Sequence, residues 1–316
     1  YLHALAKKAA ANGVLIFENT RLSSYKGSKI ITVKTDKAEI IAKNIVFATH
    51  TPLGIVMETA PRVSGYQTYI ISGVFKKNPP PEGLYIDTSD PYNYLRVDYV
   101  DGVKQFLFGG QDHKTGEKSP KNPYIKLADN LKRFVPRSEF EIADKWGGQV
   151  FESLDCMPFI GKQLSKKNHF IATGFAGDGM VFGTLSAMII ADMIRGVKNP
   201  YENLYSVKRL KGTGKILKKQ IDFMKNMAEI NPPEKEIEKI PLGSGKVVSV
   251  GANNIAVYKD EKGKIKKLSA RCTHLGCMVG WNKTDKTWDC PCHGSRFLKD
   301  GSVKSGPAMK PLKRIK

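Results

Sequence analysis

Four metal-binding side chains near the C-terminal end of the chain have the spacing of one shared site. Two short segments each supply one thiol and one imidazole, and the four residues are Cys272, His274, Cys290 and His293. Two thiolates can hold one iron of a [2Fe-2S] cluster, and two neutral imidazoles can hold the other iron. Because imidazole carries no negative charge, this ligation raises the reduction potential of the cluster. The pattern therefore predicts a carrier of single electrons.

The sequences around these side chains resemble the Rieske proteins of respiratory and photosynthetic complexes. The two halves read Cys-Thr-His-Leu-Gly-Cys and Cys-Pro-Cys-His-Gly-Ser. The resemblance implies a disulfide between Cys277 and Cys292 that ties the two cluster loops together. It also implies a hydrogen bond from the Ser295 hydroxyl to a cluster sulfide. Phe297 stands where the highest-potential members carry tyrosine, so we expect one hydrogen bond fewer and a lower potential than theirs.

A structural zinc site is the alternative use of the same four side chains, because two cysteines and two histidines also bind tetrahedral zinc. Zinc fingers usually group the cysteines as one pair and the histidines as another, whereas each segment here offers one of each. Residues 306–308, Gly-Pro-Ala, also resemble the proline loop that covers the cluster in Rieske proteins. Both observations favour the iron–sulfur cluster.

Two earlier segments resemble FAD-dependent oxidoreductases of the D-amino-acid-oxidase type. A predicted strand ends at Ala48 and Thr49, and the resemblance places these residues near the FAD. It also places the backbone of Leu22 near the adenine. In this family a second strand, a glycine-rich turn and a helix return the chain to the flavin. The residues that match this turn are Gly174, Phe175, Ala176, Gly177, Asp178, Gly179 and Met180.

The glycine-rich turn also has a chemical use that its residues suggest directly. Glycines at 174, 177 and 179 allow close backbone approach and unusual φ values. The helix that follows offers free N–H groups and a partial positive charge at its N-terminus. These groups suit the N1/O2 edge of a flavin, which becomes negative on reduction. An ordinary turn before a core helix is the alternative.

The phosphate-binding string of a dinucleotide site, Gly-x-Gly-x-x-Gly, does not occur in the sequence. In such a site this string opens the helix whose N–H groups meet the pyrophosphate. The chain begins at Tyr1 and has no initiator methionine, so we expect an N-terminal truncation that removes the first βαβ unit. The alternative is a degenerate domain that never binds flavin.

The stretch between these segments is rich in predicted strands and resembles the antiparallel substrate domain of the same family. Strand alternation places Tyr92, Tyr94, Arg96 and Asp98 on one face. Arg96 could bind a substrate carboxylate bidentately while the two tyrosines line the far side of the flavin. The alternative is a solvent-facing pair of Arg96 with Asp98. His113, in a predicted polar loop, either reaches the active site or is a hydrogen-bonded surface histidine.

The fold class predicted from these segments combines an incomplete FAD-binding α/β domain, an antiparallel α+β substrate domain and an all-β Rieske domain. The Rossmann-type FAD-binding part lacks its first βαβ unit. The predicted boundaries are residues 1–52 and 154–228 for the FAD-binding domain, 53–153 for the substrate domain, 229–241 for a linker and 242–316 for the Rieske domain. Residues 14–17 are predicted to form a buried strand, and residues 179–195 a helix that Gly196 ends.

Length and composition fit this organisation. A chain of 316 residues is long enough for two or three domains, and 41% hydrophobic with 26% charged residues is typical of globular proteins. Four of the five cysteines belong to the cluster segments, so a secreted disulfide scaffold is disfavoured and a cytoplasmic location is expected. The apolar stretch 180–194 contains Asp192 and is too short to span a bilayer, so no membrane anchor is expected.

The formal net charge of +21 limits the kinds of partner. Most of the basic residues are lysines, which favours a solvated surface over bidentate recognition of phosphate. No aromatic–basic platform accompanies the charge, so nucleic-acid binding is disfavoured. A basic face around an electron carrier could instead steer an acidic redox partner such as a ferredoxin or flavodoxin.

Together these segments predict an FAD-dependent oxidoreductase that oxidises a small substrate and passes electrons from reduced flavin to a Rieske [2Fe-2S] cluster. The resemblance implies an amine or amino acid as substrate, and the cofactors carry the chemistry. The alternative is a non-enzymatic Rieske electron-transfer protein with a vestigial flavin domain. A Rieske oxygenase is disfavoured, because its second iron needs two histidines and a carboxylate. The remaining histidines are too scattered to supply them.

Overall fold

The computed structural model describes residues 1–51, 53, 59–117, 120–209, 221, 226, 232–251 and 253–315. The helices are α1 (Leu2–Ala11), α2 (Pro123–Phe134), α3 (Gly179–Arg195) and α4 (Glu202–Tyr205). The strands are β1 (Leu22–Lys26), β2 (Ile31–Thr35), β3 (Glu39–Ala42), β4 (Ile45–Phe47), β5 (Val63–Lys77), β6 (Gly83–Ile86), β7 (Tyr94–Val100), β8 (Val103–Lys114), β9 (Glu139–Ser153), β10 (Phe159–Lys162), β11 (His169–Thr173), β12 (Ser244–Val250), β13 (Asn253–Lys259), β14 (Ile265–Ser269), β15 (Gly280–Asn282), β16 (Thr287–Asp289), β17 (Arg296–Leu298) and β18 (Val303–Ser305).

The α/β part is built from two distant stretches of the chain. β4 from the first stretch pairs in parallel with β11 from the second, and β10 completes a sheet of order β10-β11-β4. α3 covers this sheet, with Ile189 and Ile190 packed on Ile160 and Phe170. Gly196 ends α3 in the left-handed conformation at φ 74°, as predicted. β1, β2 and β3 form a separate antiparallel sheet.

The prediction of a buried strand at residues 14–17 is wrong. The segment has no regular secondary structure, and its four side chains are between 53% and 77% exposed. An apolar run becomes a buried strand only where a neighbouring strand can pair with it and a helix or sheet can cover it. Among the described residues, no strand pairs with this segment.

The middle of the chain forms one five-stranded antiparallel sheet of order β6-β7-β8-β5-β9. The pairing of β5 with β8 and with the edge strand β9 is long, because β5 and β9 each have 15 residues and β8 has 12. At one end of the sheet, α2 covers one face, where Leu127 and Leu131 pack on Tyr69, Ile71 and other apolar side chains. The other end of the sheet extends beyond α2 and reaches the α/β part and the C-terminal domain.

The C-terminal domain contains two small antiparallel sheets, β12-β13-β14 and β15-β16-β17-β18. Trp288, Tyr258 and Phe297 are fully buried at its centre. The segment 232–241, which lies in the predicted linker, packs Ile237 and Ile240 against β12 and β13. The architecture confirms the predicted fold class, with mixed α/β and antiparallel parts followed by an all-β domain.

No helix in the described ranges combines the length and the apolar composition that crossing a membrane requires.

Candidate redox sites

The two segments that carry the predicted cluster ligands fold into matching loops. In the first loop, Gly276 N–H donates to Cys272 O (2.9 Å), and Cys272 N–H donates to Cys277 O (2.8 Å). Residues 290–295 repeat both bonds at the same spacing, at 3.0 and 2.8 Å. The fifth residue of each loop is a glycine with positive φ, 81° and 77°, which other residues rarely adopt. The glycines therefore let each short segment close on itself.

The closed loops bring the four predicted ligands together. The imidazole rings of His274 and His293 are 4.9 Å apart, edge to face. The side chains of Cys272 and Cys290 are hydrogen-bonded, which lowers the pKa of Cys272 to about 7 and raises the pKa of Cys290. Both thiols are buried, and His293 lies closer to the surface. Two adjacent buried sulfurs and two adjacent imidazoles fit a [2Fe-2S] cluster with mixed ligation.

The remaining two cysteines of these loops form the predicted disulfide. Cys277 and Cys292 are bonded, with their Cα atoms 6.5 Å apart. The bridge joins the loops and removes both sulfurs from competition for the metal. The prediction of this pairing is confirmed.

Ser295 and the loop that follows it close one side of the site. Ser295 is fully buried, its side chain hydrogen-bonds Cys272, and its hydroxyl oxygen accepts a hydrogen bond from Ala308 N–H at 3.0 Å. Ala308 belongs to the predicted covering loop, residues 306–308. The Ser295 hydroxyl therefore lies beside the thiols, where its predicted hydrogen bond to a cluster sulfide requires it. Phe297 is in the core and has no polar group to offer.

The segments predicted to bind FAD meet at one edge of the α/β sheet. Ala48 and Thr49 follow β4, and the turn 174–178 follows the parallel strand β11, so both lie at the carboxyl ends of their strands. The Thr173 hydroxyl ties the two together by donating to His50 O at 2.7 Å. In open α/β sheets, ligands bind at this edge.

The individual FAD candidates have suitable backbone conformations. Gly174 (φ 81°), Ala176 (φ 50°) and Gly177 (φ 98°) all lie in the left-handed region. Gly179 and Met180 form the first turn of α3, and Met180 is 52% exposed. A side chain at Gly177 or Gly179 would meet no other atom within 4 Å, so space for a ligand lies in front of this turn. Leu22 begins β1 in the neighbouring sheet.

The structure separates the three residues predicted for the substrate site. The Tyr94 ring lies across Gly109, where a Cβ atom would come within 2.2 Å of Tyr94 Cζ. Arg96 is on the same face but is 63% exposed, and its Nε lies 2.6 Å from Asp98 Oδ2. Arg96 thus forms the solvent-facing pair that the sequence left as an alternative.

His113 corrects the prediction of a polar loop. It lies inside β8, which continues to Lys114, and its partner across the ladder is Gln67. Its ring stacks on Tyr69 at 5.8 Å, and burial lowers its pKa. Its pairing with Gln67, beyond an irregularity in the ladder between Gln67 and Tyr69, puts His113 on the face opposite Tyr94, toward the C-terminal domain. The polar sequence around it suggested a loop because the long strand pairing is not visible locally.

The sheet also carries a polar cluster that the sequence did not predict, on the face of Tyr94. Thr68 lies on β5, Asp112 on β8 and Glu152 on β9, next to Tyr66 and the predicted residue Tyr94. Glu152 also forms a backbone bridge with Phe175 in the glycine-rich turn. Alternation shows which residues of one strand share a face. Without the register between strands, it does not show which residues of different strands lie together.

Sequence analysis also missed the contact between the sheet and the cluster loop. Phe151 O accepts a hydrogen bond from Ala176 N–H at 3.0 Å, in the glycine-rich turn. On the other face of the sheet, the Phe151 ring packs on Gly294, where a Cβ atom would lie 3.0 Å from Phe151 Cε1. Gly294 follows the predicted ligand His293. One residue thus contacts both predicted cofactor loops.

Polar contacts hold the two domains together around Phe151. Gln149 Nε2 donates to Gly294 O (2.8 Å) and to Thr115 Oγ1 (3.0 Å), and Ser305 Oγ donates to Gln149 Oε1 (3.1 Å). Further along the sheet, Asp285 approaches Gly147, where a Cβ atom would lie 3.0 Å from the Asp285 carboxylate.

Asp285 itself belongs to a buried ion-pair network of the C-terminal domain. Arg296 is 3% exposed and lies 2.6 Å from Asp285 and 3.1 Å from Asp289. The pKa of the neighbouring Tyr69 is raised, mainly by burial and then by Asp285. The C-terminal domain therefore contacts the sheet through ordered, buried groups.

Comparison with known proteins agrees with both families that the sequence resembles. The model of the DAO family, FAD dependent oxidoreductases, matches residues 1–193, and the model of the Rieske [2Fe-2S] domain matches residues 233–316. The chain belongs to the FAD-dependent oxidoreductase family and carries a Rieske domain. These two domains imply FAD and a [2Fe-2S] cluster as cofactors.

Individual relatives show the same combination and the same fold. The Rieske 2Fe-2S iron-sulfur protein YhfW of Bacillus subtilis is 32% identical over 326 residues, which cover 100% of this chain and 63% of YhfW. L-proline dehydrogenase from P. horikoshii is 20% identical with a TM-score of 0.54, over 66% of this chain and 58% of that one. Glycine oxidase from Geobacillus kaustophilus is 15% identical with a TM-score of 0.51, over 66% and 57% of the two chains. At these identities the two structures support the fold alone.

Proposed function

We propose that this protein is an FAD-dependent dehydrogenase that oxidises a small amine or amino acid and delivers the electrons to its own Rieske cluster. The observation that carries the proposal is the double contact of Phe151, with the glycine-rich turn through its backbone and with the cluster loop through its ring. When bound, FAD accepts two electrons as a hydride and can release them singly, which suits a one-electron cluster.

The chain supplies the binding and the positioning. The turn 174–179 and the N-terminus of α3 offer N–H groups and the positive end of a helix dipole to an anionic flavin edge. Cys272, Cys290, His274 and His293 supply the cluster donors. Gln149 and Phe151 keep the second cluster loop against the sheet. Because this loop is held by direct hydrogen bonds, the two redox sites have a fixed relation that needs no domain movement.

The proposal is tested by mixing the flavin- and cluster-loaded protein, expressed from its complete gene, with a panel of amines and amino acids without oxygen. We expect the flavin absorbance to bleach first and the EPR signal of a reduced Rieske cluster to follow. A bleached flavin beside a cluster that stays oxidised would contradict the internal transfer. A purified protein with the cluster and no flavin would favour the non-enzymatic alternative.

We also propose that electrons leave the cluster to an acidic carrier such as a ferredoxin or flavodoxin. Support comes from the net charge of +21 and from Lys310, which follows the covering loop. Lys310 is exposed, and its backbone oxygen accepts a hydrogen bond from Thr273, beside the predicted ligand His274. Attraction between opposite charges is screened by salt. The rate of transfer to an acidic ferredoxin should therefore fall as ionic strength rises, and a rate independent of salt would contradict this partner class.

A further inference from the structure

The face of the sheet that meets the glycine-rich turn carries polar side chains from three strands. Register fixes this face: Ser64 opposes Glu152 and Tyr66 opposes Val150 across β5 and β9. Tyr66, Thr68 and Glu152 therefore point to the same side. Tyr94 on β7 joins them by crossing Gly109.

A β-bulge adds Asp112 to this face. Gln67 pairs with His113 and Tyr69 pairs with Gly110, so Thr68 alone opposes two residues of β8. Gln111 takes a positive φ of 60° in the bulge. Bulges re-aim side chains next to functional sites. This one turns Asp112 away from the side of His113 and toward Thr68 and Tyr94.

The cluster contains a buried hydroxyl whose contacts with its neighbours are not well-formed hydrogen bonds. Thr68 is 8% exposed and directs its hydroxyl toward Asp112 and Tyr94, yet the hydroxyl makes no hydrogen bond of ordinary geometry in the described part of the chain. Asp112 Oδ1 is also buried without a partner there. Buried polar atoms are normally hydrogen-bonded, so such groups at the edge of a binding site indicate a missing ligand or water.

The charge in this cluster is negative and is not balanced by neighbouring side chains. Neither Asp112 nor Glu152 forms an ion pair among the described residues. Burial raises the pKa of Asp112, and burial together with Asp112 raises the pKa of Glu152. The pKa of Tyr92 is raised by burial, then by Asp112, Glu152 and Asp178 of the glycine-rich turn.

Three tyrosine rings lie around the two acids. Tyr92 and Tyr94 lie 6.3 Å apart with tilted rings, and Tyr66 is half-buried beside Glu152. Tyrosine faces attract organic cations. Arg96, which the sequence suggested as a carboxylate clamp, is instead bound to Asp98 in solvent.

We propose that Asp112, Glu152 and the tyrosines 66, 92 and 94 form a site that selects an alkylammonium cation over a carboxylate-bearing amino acid. This inference rests on the proposed function, because it places the substrate amine beside the turn that would hold the flavin. It narrows the substrate class to amines whose positive charge is not accompanied by a carboxylate. An amino-acid carboxylate at this site would meet two acids, and the lysine on the same face, Lys114, is already paired with Glu117.

The test uses the flavin- and cluster-loaded protein from its complete gene and separates binding from turnover. Tetramethylammonium and methylammonium are titrated separately without oxygen, with sodium chloride added to equal ionic strength, while the flavin absorption is recorded. We expect saturable spectral changes with one or both cations and none with acetate. A saturable change with acetate, or with neither cation, would overturn the proposal.

Variants show which groups bind the cation. Asp112→Asn removes a charged hydrogen-bond acceptor, so it should weaken methylammonium binding by roughly tenfold or more, and Glu152→Gln should act in the same direction. Arg96→Leu should leave it unchanged. Unchanged binding in the double variant Asp112→Asn, Glu152→Gln would refute the site.

Cofactor signals in the same variants keep this result separate from the proposed relay. Both acid variants should retain the flavin spectrum and the EPR signal of the cluster after dithionite, which shows that they fold. Cation binding without later cluster reduction would refute only the relay. If substrates bind at this face through a carboxylate group and the cluster is still reduced, only the cation site is refuted.

Discussion

Ser295 places one hydroxyl between a predicted cluster ligand and the loop that covers the site. It hydrogen-bonds Cys272 and accepts from Ala308 N–H. A donor near the cluster stabilises its reduced, more negative form, so removing the donor lowers the reduction potential.

We therefore expect Ser295→Ala to lower the cluster potential by about 60 mV. This follows from roughly 1.5 kcal/mol for a hydrogen bond to a charged group, with about 59 mV per 1.4 kcal/mol for one electron. The measurement is a redox titration followed by EPR. Ser305→Ala is the control, because its hydroxyl bonds Gln149 instead of the thiols. Equal potentials in the two variants would contradict the role of Ser295.

Ionisation of Asp112 should affect the stability of the protein as well as its binding of cations. Its pKa is raised by burial, so the folded state prefers the protonated acid. The associated stability is fully present below the pKa of the unfolded chain and is lost as pH rises through the raised pKa.

Asp112→Asn should therefore raise the melting temperature at pH 8, and the gain should shrink toward pH 4. Thermal unfolding of the variant and the parent across this range checks the expectation. Asp98→Asn is a matched control, since Asp98 is exposed in its pair with Arg96. A gain that does not depend on pH would mean that Asp112 is not held in an unfavourable ionised state.

At the scale of elements, one buried ion pair fixes the segment that returns the chain to the α/β sheet. Arg209 Nε lies 2.7 Å from Asp155 Oδ2, with only 9% and 11% of the two side chains exposed. The guanidinium also stacks 3.8 Å above the Phe159 ring in β10. The pair therefore connects the end of β9 with β10 and with the chain beyond α4.

We expect Asp155→Asn to destabilise the protein by about 3 kcal/mol, because it leaves a buried guanidinium without its counter-charge. Denaturant unfolding at pH 7 measures this cost, and Asp98→Asn, in an exposed pair, should cost at most about 0.5 kcal/mol. Comparable losses in the two variants would show that burial does not strengthen the Asp155 pair.

The same pair predicts a pH window. The hydrogen bond from Arg209, the largest cause, holds the pKa of Asp155 at about 2, below its ordinary 3.8. A lowered pKa stabilises the fold above the ordinary value and loses that contribution as pH falls toward 2. The stability difference between Asp155→Asn and the parent should thus narrow between pH 4 and pH 2.

At the scale of the whole molecule, the contact between sheet and cluster loop should control internal electron transfer. Gln149 makes three hydrogen bonds there, each worth about 1 kcal/mol. Gln149→Leu should slow cluster reduction by roughly tenfold or more, since about 1.4 kcal/mol corresponds to a factor of ten, while flavin reduction keeps its rate.

Stopped-flow absorbance and freeze-quench EPR resolve the two steps. Gln105→Leu is the control, because Gln105 is exposed at the far end of β8. A Gln149→Leu protein that reduces its cluster at the parent rate would show that this contact does not set the transfer.

The sequence by itself determined the features that depend on residues close along the chain. The two ligand loops, the glycine-rich turn and the bounds of α3 follow from local spacing, turn chemistry and helix ends. Family resemblance added the disulfide between Cys277 and Cys292 and the combination of a flavin domain with a cluster domain. These features need no knowledge of how distant strands align.

Only the tertiary structure decided which side chains share a face. The bulge at Gln111 reverses the sides of Asp112 and His113, so the acid joins Tyr94 and the histidine faces the Rieske domain. Likewise, Phe151 contacts Ala176 and Gly294, and Gly294 is far from it in the sequence. A shift of one residue in register moves a side chain to the other face of a sheet, and register is set by pairing between distant strands.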